Sequence, residues 1–115
     1  MAVLGPSLMA WSRNKYKAIK TEVDGITFDS KREATRYMEL VLMERMGEIS
    51  HLELQPKYDC IVNGKKICTY KADFRYFTKE NSVVEDVKGM KTAVYRLKKK
   101  LVEALYPGVK IQEIF

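Results

Sequence analysis

Two aspartates and a lysine, Asp73, Asp86 and Lys88, fall within one short stretch of this chain. The stretch reads as two strands, Lys71 to Phe77 and Val83 to Lys88, joined across the polar break Thr78-Lys79-Glu80-Asn81-Ser82. Side chains alternate along a strand. Lys71, Asp73, Arg75 and Phe77 therefore share one face of the first strand, and Val84, Asp86 and Lys88 one face of the second. A symmetric hairpin centred between Lys79 and Glu80 sets Phe77 against Ser82, Arg75 against Val84, Asp73 against Asp86 and Lys71 opposite Lys88. Opposed side chains have Cβ atoms about 5 Å apart, and like charges there are destabilising. A hard divalent cation, which takes oxygen ligands, cancels that repulsion. An ion to polarise phosphate and activate water, with a lysine alongside to steady negative charge, suits hydrolysis of a phosphodiester. The same residues also describe a solvated hairpin in which Asp73 is salt-bridged to Lys71, Arg75 or Lys88. A one-residue slip of register would bring Glu85 to this face in place of Asp86. The spacing of Asp86 and Lys88 does not depend on that register.

The elements that position these residues can be read along the chain. Lys20 to Phe28 reads as a small hairpin around Asp24-Gly25. A helix runs from about Lys31 to Met46, with Ser30-Lys31-Arg32-Glu33 as a capping box and Gly47 as its stop. Ala34, Tyr37, Met38, Val41 and Leu42 form its apolar stripe. Glu33 serves that cap, and a first-turn glutamate can also turn toward a metal. Leu52 to Val62 reads as a strand interrupted at Pro56, at an edge or a bulge. Asn63-Gly64 turns it into a second strand, Lys65 to Phe77. That turn sets Cys60 against Ile67 and Asp59 against Cys68, so the thiols point to opposite faces unless a bulge shifts the register. A second helix spans Lys91 to Tyr106, with Val94, Leu97, Leu101 and Leu105 as its buried face and Lys91, Tyr95 and Lys98 together elsewhere. Pro107-Gly108 ends it, and Val109 to Ile114 is a final strand. After a helical crossover this strand can join the sheet in parallel.

With 115 residues, a single domain is expected over 13–115, behind a loose leader at 1–12. A hydrophobic content of 46% suffices for a core, and the net charge of +6 suits a polyanionic partner, nucleic acid foremost. The basic cluster Arg13, Lys15, Lys17 and Lys20 could touch phosphates; a solvated basic arm explains it equally well. No apolar run approaches the roughly 20 residues that span a bilayer. Met1 to Ser12 lacks a basic n-region and a clear cleavage site, so cytoplasmic residence is the default. Two cysteines and one histidine, His51, cannot supply a four-ligand structural zinc site.

The order helix, three strands, helix, strand, with Asp73 on the second strand and Asp86-Val87-Lys88 on the third, resembles the core of the PD-(D/E)XK nuclease superfamily. The run Val84-Glu85-Asp86-Val87-Lys88-Gly89 is similar to the third-strand segment of archaeal-type Holliday junction resolvases. Four blocks, Phe28 to Ala34, Leu52 to Tyr58, Tyr70 to Tyr76 and Val84 to Lys88, resemble small phage and prophage recombination endonucleases of resolvase type. The resemblance covers about Asn14 to Ile114, and departs from the superfamily pattern at Ala72, where a proline is common. It implies an α/β, restriction-endonuclease-like αβββαβ core, with a mixed sheet flanked by helices. It makes Asp73, Asp86 and the backbone oxygen of Val87 ligands of Mg²⁺ or Mn²⁺, Lys88 the catalytic lysine, and Glu33 a supporting acid acting on the metal or its water. Lys91, Tyr95 and Lys98 become helpers on phosphate. It implies a homodimer that cuts branched DNA. A nuclease for nicked, flap or linear duplex DNA, or a non-catalytic nucleic-acid-binding module on the same fold, shares these features.

Overall fold

The computed structural model describes residues 10–13 and 19–115, with side chains from Lys20 onward. The chain divides into two compact units, residues 1–41 and 42–115.

In the first unit, β1 (Ala10–Arg13), β2 (Ile19–Val23) and β3 (Ile26–Phe28) form an antiparallel sheet in that order. Ala10 to Ser12, expected at the end of the leader, therefore lie in a strand. Asp24 and Gly25 take φ of 54° and 76°, the left-handed pair that a two-residue hairpin turn requires, and Val23 faces Ile26 across them. Helix α1 (Lys31–Arg45) begins where expected. The Ser30 hydroxyl accepts the Glu33 N–H at 3.1 Å, which satisfies one of the donors a helix start leaves open. Ala34, Tyr37 and Leu40 are buried, and the Tyr37 ring lies 5.0 Å from that of Phe28. Leu42, expected on the apolar stripe, is exposed. The buried residues follow one another at steps of three, which fall short of a full turn and carry the buried line away from Leu42. Gly47 ends the helix at φ 78°.

The second unit holds β4 (Ser50–Leu54), β5 (Lys57–Val62), β6 (Lys65–Lys71), β7 (Phe74–Phe77), β8 (Ser82–Val87), α2 (Ala93–Leu105) and β9 (Ile111–Ile114). Its mixed sheet has the order β4-β7-β8-β9; β8 and β9 run parallel and the other neighbours antiparallel. β5 and β6 form a two-stranded ribbon. The two long strands expected at Leu52–Val62 and Lys65–Phe77 are each broken, and the breaks face each other. Gln55 takes φ 52°, Pro56 has no N–H to give, and pairing continues across the bend through Gln55 N–H to Asp73 O at 2.9 Å and Ala72 N–H to Pro56 O at 3.0 Å. The sheet thus passes into the ribbon at Ala72-Asp73.

Two expectations are corrected here. The Asn63-Gly64 turn forms as expected, with Val62 facing Lys65. A bulge between Cys60 and Ile61 then shifts the register, so that Cys60 faces Cys68 and Asp59 faces Thr69. On α2, Val94 and Leu97 are 62% and 61% exposed, while Tyr95 and Val102 are buried. The surface beneath the helix explains the rotation. It is lined by Tyr58, Tyr70, Cys60 and Ile111. A tyrosine ring buries more area than valine or leucine while its hydroxyl keeps a polar partner, so the Tyr95 face wins over the aliphatic one.

Candidate functional site

β7 and β8 pair in the register that the hairpin required, with Phe77 opposite Ser82, Arg75 opposite Val84 and Phe74 opposite Glu85. The ladder ends there, so Asp73 is not a regular cross-strand partner of Asp86. The bend at Ala72-Asp73 slips the backbone by one residue, and Asp73 N–H bonds Glu85 O at 3.1 Å. The Asp73 carboxylate instead accepts the peptide N–H of Val87 at 2.7 Å. This binds it directly to the residue between Asp86 and Lys88. The expected pairing of Lys71 with Lys88 is likewise replaced: Lys71 faces Lys57 on the ribbon, and Lys88 N–H bonds Ile114 O at 2.8 Å.

Asp86 is 3% exposed. One carboxylate oxygen lies 3.2 Å from the Lys88 ammonium, and the other accepts the Tyr70 hydroxyl. Burial, followed by the bond to Asp86, raises the Tyr70 hydroxyl well above the ordinary tyrosine range, so it stays a proton donor. The Lys88 ammonium also sits 4.0 Å from the centre of the Tyr95 ring. Contact with a ring face steadies a cation without using its N–H groups. Glu85 lies on the opposite face of β8, fully buried, and accepts the Tyr76 hydroxyl. Asp86 is therefore the acid that shares a face with Lys88.

The neighbouring strand brings a further acid. Glu113 on β9 stands directly beside Asp86 in the parallel ladder. Lys91 at 2.9 Å and the Tyr95 hydroxyl at 2.8 Å bind it, with Lys99 at 3.5 Å. Lys91 first and Tyr95 second hold its carboxyl down to about 2. Burial, followed by the bond to Glu113, raises the Tyr95 hydroxyl. Lys98 donates to Thr69 O at 3.2 Å. The three expected helpers of the second helix, Lys91, Tyr95 and Lys98, thus each have a partner inside the second unit.

Asp73, Asp86 and Lys88 are brought together. Glu33 belongs to the first unit, where it is 8% exposed in the first turn of α1. Arg13 ends β1; its side chain, Lys15 and Lys17 lie outside the described residues. Tyr70 and Glu113 escaped the sequence reading. Glu113 had a signal, since it alternates with Ile111 and so falls on a strand's buried face. Tyr70 had none beyond its place in a buried row, because its partner lies sixteen residues away.

Among the described residues, no group of three or more His, Cys, Asp or Glu side chains is set to hold a metal ion. The donors at hand are nevertheless all oxygens: two carboxylates, with the peptide oxygen of Val87 next in the chain. Mg²⁺ is commonly held by one or two carboxylates and keeps several waters, so this donor set fits a hard cation. No helix among the described residues is long and apolar enough to cross a membrane. Comparison with curated proteins and with solved structures gave no match. A family model does match, over residues 13–115. The chain belongs to the family described as "Protein of unknown function (DUF1064)".

Proposed function

We propose that this chain is a divalent-metal-dependent DNA endonuclease with a restriction-endonuclease-like core, acting in the cytoplasm on branched DNA such as four-way junctions. The observation that carries the reading is the cluster at the end of β8: the Asp86 carboxylate 3.2 Å from the Lys88 ammonium, with the Asp73 carboxylate tied to the intervening Val87 N–H.

Asp73, Asp86 and the Val87 peptide oxygen would hold Mg²⁺ or Mn²⁺. Such an ion polarises the phosphate and lowers the pKa of its bound water. Lys88, seated on the Tyr95 ring, would donate to a phosphate oxygen as negative charge develops there. Tyr70 fixes the second oxygen of Asp86, so the carboxylate needs no reorganisation during the reaction. Paired cuts in a junction call for two copies about a two-fold axis, so the active form is a homodimer.

The test is purified protein with a labelled four-way junction and Mg²⁺, alongside nicked, flap and linear duplexes of matching sequence. Cleavage is expected to be strongest on the junction, and to be lost with chelator, in Asp86→Asn and in Lys88→Ala. Cutting that persists in both variants would remove this site from the chemistry. Binding with no cutting under any divalent metal would leave a non-catalytic binding module.

A further inference from the structure

The ribbon of β5 and β6 has a face that the proposed chemistry does not use. Its inner residues Tyr58, Cys60 and Tyr70 are buried in the core with Tyr95 and Val102 of α2. Its outer residues Lys57, Asp59 and Lys71 are exposed, as is every residue from Ile61 to Ile67. Residues 57–71 contain four lysines, Lys57, Lys65, Lys66 and Lys71, against one acid, Asp59. The ribbon thus carries +3 of the chain's +6 in fifteen residues. Lys66 pairs with Asp59 at 3.4 Å; among the described residues Lys57, Lys65 and Lys71 make no salt bridge. Lys57 and Lys71 face each other directly across the two strands. Like charges so placed are destabilising unless an anion lies over them.

We infer that the outer face of this ribbon is a docking surface for duplex DNA, tracking its phosphate backbone on one side of the reacting phosphate. The inference deepens the nuclease reading and rests on it for the position of the cut. The charge is complementary, and a two-stranded ribbon is one of the elements a major groove admits. The rings of Tyr58 and Tyr70 are turned into the core, so the ribbon's outer face offers no aromatic platform for unstacked bases. That favours a duplex over a single strand. The placement also fits, since β6 runs from the turn through Lys71 and reaches Asp73 two residues later. A six-residue strand is roughly 20 Å long, or about six base pairs of duplex.

The test measures binding in chelator, where no cutting occurs, by fluorescence anisotropy of a labelled duplex from 50 to about 300 mM salt. One variant carries Lys57→Gln, Lys65→Gln and Lys71→Gln. A control removes equal charge at exposed positions elsewhere, with Arg45→Gln, Lys79→Gln and Lys110→Gln. The ribbon variant is expected to bind at least about tenfold more weakly at low salt, with the slope of log K against log salt reduced by about 3, one for each phosphate no longer neutralised. The control is expected to stay within about threefold. Shortening the duplex arm below about six base pairs should weaken the native chain and leave the ribbon variant unchanged. Thermal melting checks the fold, and single Lys65→Gln and Lys71→Gln variants keep the test open should the triple variant unfold. Equal losses in both triple variants, no loss in either, or a loss confined to single strands or to phosphatidylserine vesicles would overturn the inference. A ribbon effect without any cutting by the native chain would sink the nuclease reading alone; cutting without a ribbon effect would sink this one alone.

Discussion

The carboxylate of Asp73 accepts the peptide N–H of Val87 at 2.7 Å. A side chain at the end of one strand thereby caps the backbone of the next, where the regular ladder has stopped. Asp73→Asn keeps an acceptor for this bond but loses the charge. Melting temperature is expected to stay near native, while cleavage of the junction falls by at least about 100-fold. Asp73→Ala should lose the same activity and also about 1–3 kcal/mol of stability, because the Val87 N–H is left without its partner. Denaturant melts beside cleavage assays separate the two losses.

Tyr70 holds one oxygen of a carboxylate that is 3% exposed. Tyr70→Phe keeps the ring and removes the donor. A stability loss of about 1–3 kcal/mol is expected from the unsatisfied acceptor. Native-like stability in urea melts would mean that water or Lys88 replaces the hydroxyl without cost.

Glu113 sets a dependence on acidity. Its folded carboxyl is held at about 2, below the ordinary 4.5, by Lys91 and then Tyr95. A depressed folded value favours the charged form in the native state. Its stabilising effect is therefore complete above the ordinary value and lost as pH falls toward the folded one. The stability difference between the native chain and Glu113→Gln should be largest near pH 6 and shrink steadily from about pH 5 to pH 2. Urea melts at pH 6, 3.5 and 2 measure it, and a difference that stays constant across this range contradicts the assignment.

The orientation of α2 is open to a direct comparison. Leu97→Ser removes a side chain that is 61% exposed and should change stability by no more than about 0.5 kcal/mol. Val102→Ala opens a gap at a fully buried position and should cost roughly 1–3 kcal/mol. The reverse ranking would restore the aliphatic face as the buried one.

The bulge in the ribbon places Cys60 opposite Cys68, and burial pushes the Cys60 thiol up. A buried thiol with little thiolate reacts slowly. Iodoacetamide is expected to modify Cys68 first, and Cys60 only as the chain unfolds, as read by peptide mass spectrometry over time.

Local chemistry made a good part of this protein legible in its residues. The turns at Asp24-Gly25 and Asn63-Gly64, the Ser30 cap and the Gly47 stop each depend on φ and ψ within three or four residues. All four stand where the sequence puts them. The β7–β8 register followed too, because a short hairpin leaves few ways to pair. Asp86 and Lys88 share a face simply because they are two apart on a strand.

Packing between distant elements settled the rest. Whether α2 buries Val94 and Leu97 or Tyr95 and Val102 depends on the surface it meets, and periodicity along the helix does not contain that surface. The Cys60 bulge and the bend at Ala72-Asp73 are single-residue slips, and they moved Cys68 and the Asp73 carboxylate to partners other than those regular pairing assigns. Tyr70 reaches Asp86 from β6, and Glu113 stands beside it on β9, both from parts of the chain that no local pattern links to β8. Spacing along the chain was enough to bring the acid and the lysine to one side at the end of β8. Only the folded chain decided what surrounds them, because a buried carboxylate takes its partners from whichever elements packing brings within hydrogen-bond reach.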